Sequence, residues 1–156
     1  MQTFTIAPAE PGDLADVAAL FRAYAAALHI DLGVQGFEQE LAELPGAYAP
    51  PHGALLLARG EEGAALGCVA IRRLDGLACE MKRLYVCPEA RGTGLGRALV
   101  AAVLAEAPRL SYRQIKLDTL PQLGEAIALY RNFGFQPIPP YGDHPYEGTI
   151  CFGRIV

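Results

Sequence analysis

Tryptophan is absent from this chain of 156 residues, methionine occurs only twice, and no two cysteines stand at C-x-x-C spacing. The four cysteines, Cys68, Cys79, Cys87 and Cys151, are scattered, and three fall in apolar, strand-like segments. Reduced cysteine in that setting serves as a small buried residue, so core thiols are expected rather than a disulfide framework. His29, His52 and His144 lie far apart and lack the spacing of a metal site, so no metal is expected. Apolar runs are short and broken by charge, too short to span a bilayer. The start, Met1-Gln2-Thr3-Phe4-Thr5-Ile6, lacks the basic and apolar regions of a secretion signal. Basic residues are outnumbered, with 13 Lys and Arg against 17 Asp and Glu, a net charge of −4 and a pI near 5.3. That balance argues against a nucleic-acid surface. The expectation is a cytoplasmic protein without membrane or nucleic-acid partners.

What remains is ordinary for a globular chain: 52% hydrophobic and 19% charged residues, enough for one compact domain over residues 1–156. Alternation predicts a strand over Thr3–Ala7, ended by Pro8-Ala9-Glu10-Pro11-Gly12. Asp13 is placed to cap a helix carrying Leu14, Val17, Phe21, Tyr24 and Leu28 at helical spacing. Phe37, Leu41 and Leu44 suggest a short second helix, stopped by Pro45-Gly46, after a loop over Asp31–Gly36. Strands follow at Ala54–Ala58, Ala64–Leu74 and Leu77–Val86, the last two joined by the hairpin signal Asp75-Gly76. A helix over 94–107 ends near Pro108, then come a strand at Ile115–Asp118 and a helix from Glu125 to Phe133 with Gly134 as its stop. Phe135–Ile138 and Thr149–Ile155 close the chain as strands. This order, βααβββαβαββ, predicts an α/β (α+β) fold: one mixed, mostly antiparallel sheet with helices on both faces.

The most informative segment is Leu84-Tyr85-Val86-Cys87-Pro88-Glu89-Ala90-Arg91-Gly92-Thr93-Gly94-Leu95-Gly96-Arg97. An apolar strand ends, a turn carries three glycines at alternate positions, and a helix begins at once. Glycines let main-chain amides approach a ligand, and the helix start favours an anion, so a phosphate-bearing ligand is expected. A P-loop would need Lys and Ser or Thr after its last glycine, where Arg97-Ala98 stands. A dinucleotide fingerprint would need its third glycine at position 97. The remaining pattern, Arg91-x-x-Gly94-x-Gly96 after Leu-Tyr-Val-x-Pro, resembles the acyl-CoA-binding motif of the GCN5-related N-acetyltransferases, the GNAT family. A second block, Ala126-Ile127-Ala128-Leu129-Tyr130-Arg131-Asn132-Phe133-Gly134-Phe135, resembles that family's "A-I-x-L-Y-x-x-x-G-F" signature. The predicted element order is also that of the GNAT fold.

The resemblance implies acetyl-CoA as co-substrate. Backbone groups of Leu84 and Val86, on a strand splayed from its neighbour, would bond the pantetheine arm. The amides of Arg91, Gly92, Thr93, Gly94, Leu95, Gly96 and Arg97 would hold the pyrophosphate. Arg91 and Arg97 sit at a helix start, where cations oppose the macrodipole, and a bound anion explains them better than stability does. Tyr130 matches the family's general acid, which protonates the departing thiolate; Ile127, Tyr130 and Phe133 also fit a core stripe. Glu80 matches the general base of some relatives. In strict alternation it shares a face with Lys82, Leu84 and Val86, and a strand carboxylate paired with Lys82 or Arg72 at a solvated edge is the alternative. Where relatives often carry a pantetheine-binding Asn, this chain has Leu123, and Asp118 or Thr119 would have to substitute.

The implied activity is direct acetyl transfer from acetyl-CoA to a primary amine of a small molecule or peptide. The acceptor would enter between the N-terminal helices and the loop Pro139–Glu147, framed by Tyr24, Tyr141, Tyr146, Asp143 and Glu147. A catalytically silent acyl-CoA sensor on the same fold, or a protein binding another phosphate at the glycine turn, are the rival classes. A homodimer formed through the terminal strand, as an open sheet edge, is a further expectation.

Overall fold

The computed structural model describes residues 3–28, 36–142 and 147–156. Its elements are β1 (Phe4–Pro8), α1 (Leu14–Leu28), α2 (Phe37–Ala42), β2 (Ala54–Gly60), β3 (Ala65–Arg73), β4 (Ala78–Val86), α3 (Leu95–Arg109), β5 (Gln114–Thr119), α4 (Gly124–Asn132), β6 (Gln136–Pro137) and β7 (Ile150–Ile155). The strands form one sheet in the order β1-β2-β3-β4-β5-β7-β6. Every pairing is antiparallel except β4 with β5.

The near-continuous apolar runs of β2 and β3 are those of strands buried on both faces. Leu55, Leu57, Cys68 and Ala70 pack with Val17, Leu20 and Phe21 of α1 and Phe37 and Leu41 of α2. On the other face Leu56, Val69, Ile71, Cys79 and Met81 pack with Leu95, Leu99, Val100 and Val103 of α3 and Tyr130 of α4. Helices thus cover both faces, as the element order predicts. Cys68, Cys79 and Cys151 are buried free thiols and Cys87 is half-buried. Burial holds Cys68 and Cys79 protonated, each pushed up to about 12.

Three expectations are corrected. Asp13 does not cap α1 directly; it ends a single 3-10 turn, Pro11–Asp13, and its carboxylate accepts from Glu10 N–H at 2.8 Å and Arg59 Nη2 at 2.7 Å. The terminal strand is not a sheet edge, because β7 lies between β5 and β6, so it offers no open ladder along its whole length for a dimer. Strict alternation along β4 fails too. The β3–β4 register runs Ile71↔Met81 and Ala70↔Lys82, then resumes at Cys68↔Tyr85, one residue out of step. Val69 therefore faces two residues, Arg83 and Leu84, and Arg83 takes φ +62°. The bulge reverses the facing of everything after it. Glu80 and Lys82 lie on the α1–α2 face, whereas Leu84 and Val86 join the α3 core. The loop over 31–35, His29, and the Asp143–Tyr146 stretch with His144 lie outside the described residues.

Candidate active site

Parallel pairing of β4 with β5 covers only Ala78↔Gln114, Cys79↔Ile115 and Glu80↔Lys116. Beyond Glu80 the strands separate: β5 stays with β7 as far as Thr119↔Ile150, while β4 follows β3 as far as Gly67↔Val86. A wedge opens between them. Cys87 N–H donates to Leu66 O at 2.9 Å, which makes that pair a bonded one. Bonded and non-bonded pairs alternate in an antiparallel ladder, so Cys68–Tyr85 is bonded next. The peptide groups of Val86 and Leu84 consequently turn away from β3, into the wedge. Arg91 Nε reaches Val86 O from that side at 3.3 Å.

At the wide end of the wedge lies a cleft of about 680 Å³, lined by Leu84, Tyr85, Val86, the turn from Ala90 to Gly96 (except Thr93), Tyr24 and Leu28 of α1, and Gln122 to Ala126 and Leu129 around the start of α4. Backbone hydrogen bonds account for Arg91 N–H, on Pro88 O at 3.3 Å, and Ala98 N–H, on Gly94 O at 3.0 Å. The six amides between them, Gly92 through Arg97, donate to no carbonyl among the described residues. They are the orphan donors of a helix start together with its approach turn. The glycines do different work. Gly92 and Gly94 take φ of +79° and +86°, which other residues rarely adopt. Gly96 has ordinary helical geometry, and a Cβ there would sit 3.7 Å from Leu129 Cδ2 and 3.8 Å from Val86 Cγ2, inside the cleft. These bare Cα positions and unbonded amides fit a diphosphate.

The side chains of the turn are engaged elsewhere. Leu95 is buried core, Thr93 Oγ1 donates to Ala90 O at 2.5 Å, and the Arg97 guanidinium stacks 5.4 Å from the centre of the Phe133 ring. Arg97 is not among the residues lining the cleft, and Arg91 is the cation that lines it among the described residues. Leu123, the position at which a pantetheine-binding Asn is expected from the resemblance, lines the cleft. Asp118 lines a different cavity and Thr119 is buried at the end of β5.

Across the bulge, on the α1–α2 side, β4 lines a second cavity of about 890 Å³ with Arg72, Glu80, Lys82, Arg83, Asp118 and Tyr141 among its walls. Glu80 is only 3% exposed. Its Oε1 accepts from Arg72 Nε at 2.6 Å and its Oε2 from Tyr141 O–H at 2.7 Å. The predicted pairing with Arg72 is present, in the protein interior rather than at a solvated edge. Burial and the Glu80 carboxylate keep the Tyr141 phenol protonated, far above the ordinary tyrosine value. Tyr130 is 7% exposed, with its ring edge-on to Phe135 at 5.9 Å. Burial, with smaller contributions from Tyr24 and Asp118, raises its phenol well above the usual range. The core-stripe role of Tyr130 is therefore real, and its hydroxyl stays protonated at neutral pH. Glu147 is exposed.

One residue of the site has no place in the sequence-based reading. Arg83, 3% exposed, is bound by Glu40 through Nε and Nη2, both at 2.9 Å, and lies over the rings of Tyr24 at 5.7 Å and Phe37 at 5.5 Å. It ties the bulge to α1 and α2, and so holds the boundary between the two cavities.

Residues 51–137 match the model of the acetyltransferase (GNAT) domain. The chain belongs to the GNAT family. It is 43% identical over 141 residues to an uncharacterized N-acetyltransferase of Schizosaccharomyces pombe, covering 90% of this chain and 86% of that protein. Among solved structures, a GNAT-family acetyltransferase of Staphylococcus aureus superposes with a TM-score of 0.83 at 19% identity, covering 98% of this chain and 99% of the other. The yncA protein of Salmonella typhimurium, whose structure holds its cofactor acetyl-CoA, superposes with a TM-score of 0.73 at 21% identity, covering 98% and 94%. This GNAT chain is thus an acyltransferase of the acetyl-CoA-dependent class. Among the described residues no group of His, Cys, Asp and Glu is arranged to hold a metal, and no helix is long and apolar enough to cross a membrane.

Proposed function

We propose that this GNAT protein transfers the acetyl group of acetyl-CoA directly to a primary amine of a small molecule or peptide. The observation that carries the proposal is the row of unbonded amides from Gly92 to Arg97 at the mouth of the β4–β5 wedge. Those amides and the helix dipole bind the diphosphate, and the wedge-facing groups of Leu84 and Val86 bond the pantetheine arm. Acetyl-CoA supplies the acetyl group as an activated thioester. The Val86 N–H, fixed by the sheet, is the donor placed to stabilise oxygen charge during attack. Glu80, held by Arg72 and Tyr141, takes the amine proton directly or through water. Tyr130, whose phenol is kept protonated by burial, returns a proton to the leaving thiolate. Holding both reactants across one bulge removes much of the entropic cost of a bimolecular step.

The test is release of free thiol from acetyl-CoA across a panel of amines, repeated with Tyr130→Phe. Turnover with at least one amine, and a kcat reduced about 10²-fold or more with acetyl-CoA affinity retained in the variant, is expected. Binding of CoA without turnover of any amine would favour a silent acyl-CoA sensor. Unchanged kcat in Tyr130→Phe would remove that residue from the mechanism.

A further inference from the structure

Among the described residues the acceptor-side cavity is lined by Arg72, Lys82 and Arg83 and by Glu40, Glu43, Glu80 and Asp118. Two ion pairs are explicit, Arg83 with Glu40 and Arg72 with Glu80. Glu40 takes two donors of Arg83, and both oxygens of Glu80 are engaged by Arg72 Nε and Tyr141 O–H. Asp118, on the facing strand, also makes an interaction of its own. Two sets of donors remain. The Lys82 ammonium and the terminal nitrogens of Arg72 make no hydrogen bond or ion pair among the described residues, and both line the cavity. Lys82 stands two residues from Glu80 on the same face of β4, ahead of the bulge. An ammonium held in such surroundings without an acceptor is costly, and it is satisfied when a ligand brings an anion.

Resting on the acetyl-transfer reading above, we infer that the acceptor is an amino-acid-like molecule whose carboxylate is bound by Lys82 and the terminal nitrogens of Arg72. The two donor sets share one face of the sheet, since Arg72 pairs with Glu80 and Ala70 with Lys82 in the β3–β4 register, and a carboxylate offers one oxygen to each. The rest of the cavity fits the other end of such a molecule: Glu80 and Asp118 favour the amine, and the rings of Tyr48 and Tyr141 offer apolar surface. A plain amine would bring no acceptor to the Lys82 ammonium or the terminal nitrogens of Arg72. Burial lowers the Lys82 pKa, Glu80 and Asp118 oppose that, and Arg83 and Arg72 reinforce it. A bound carboxylate would return the ammonium toward its ordinary value.

The experiment compares each L-amino acid with its own carboxamide, and glycine with aminomethylphosphonate, by thiol release from acetyl-CoA, in wild type, Lys82→Met and Lys82→Arg. For an accepted amino acid, kcat/KM is expected to exceed that of the carboxamide at least tenfold. Lys82→Met should bring the two within about threefold of one another, chiefly through KM, and Lys82→Arg should restore most of the preference. Equal use of acid and amide by wild type, turnover only of amines lacking a carboxylate, or a phosphonate preferred over the acid would overturn the inference while leaving acetyl transfer intact. A loss in Lys82→Met that falls equally on acid and amide would also overturn it, since that is a structural or proton-transfer effect. If acetyl-CoA binds but no amine of any kind releases thiol, the acetyl-transfer reading itself fails, and the carboxylate subsite with it.

Discussion

Gly94 and Gly96 are two positions apart in one turn, yet substitution by alanine should act on them through opposite physics. Gly94 has φ +86°, and a Cβ built there meets nothing within 4 Å. The penalty for Gly94→Ala is backbone strain alone, about 1–2 kcal/mol for an L-residue held in the left-handed region. For a chain of this size that lowers Tm by about 2–8 °C. Gly96 is helical, and its added Cβ makes ordinary contacts at 3.7 and 3.8 Å with Leu129 and Val86. Gly96→Ala should leave Tm unchanged or raise it slightly, because alanine gains roughly 0.5 kcal/mol over glycine in a helix. That same Cβ projects into the cleft where the diphosphate must approach the amides. Losing one charge-assisted hydrogen bond, at about 1.5–3 kcal/mol, weakens CoA binding by about tenfold to 150-fold. Differential scanning fluorimetry and isothermal titration of CoA on the two variants read both quantities. A Gly96→Ala protein that is as stable as wild type and binds CoA with wild-type affinity would refute the placement of the ligand against this turn. Gly96→Val, with two more methyl groups in the same space, should bind still more weakly.

Other consequences follow from the interior charges. Glu40→Ala leaves the buried guanidinium of Arg83 without its bidentate partner and should cost about 3 kcal/mol or more, whereas Arg83→Met leaves only the partly exposed Glu40 and should cost less; urea denaturation that ranks them the other way would contradict this. Glu80→Gln keeps the shape and much of the bonding to Arg72 and Tyr141, so Tm should hold while kcat/KM for the amine falls by about 10²–10⁴-fold; wild-type kcat/KM would exclude Glu80 as the base. Cys68 and Cys79 keep their protons in the folded chain up to about 12, whereas an unfolded thiol loses its proton near 9. Between those values the folded state binds more protons, so stability is complete below pH 9 and declines as pH rises toward 12. Tm scans from pH 7 to 11 should show that decline, shallower in Cys68→Ala measured against its own neutral value; a Tm flat to pH 11 would contradict it.

Much of this architecture is legible in the residues. The apolar runs of β2 and β3, the hairpin at Asp75-Gly76 and the Arg91–Arg97 turn each carry a local signal strong enough to place an element. The bulge was missed, although β4 records it. Apolar residues occupy odd positions at Cys79 and Met81 and even ones at Leu84 and Val86, with Lys82 and Arg83 side by side at the slip. A phase change of that kind in a two-residue period marks an inserted residue. The partnership of Arg83 with Glu40 was beyond reach, because it joins residues 43 apart in sequence through tertiary packing. The same holds for Tyr141 on Glu80, 61 apart, which brings a loop to the base from the far end of the chain. Asp13 misled because it has the right composition for a helix cap, but Pro11 begins a 3-10 turn ahead of it.

The grip of main-chain nitrogens on the diphosphate can be watched directly. In a ¹⁵N–¹H correlation spectrum titrated with CoA, the amide protons of Gly92, Gly94 and Gly96 should move strongly downfield and saturate together, while dephosphorylated pantetheine should leave them in place. If CoA binds and those three resonances stay where they were, with the large shifts falling elsewhere in the chain, the account of this site is wrong.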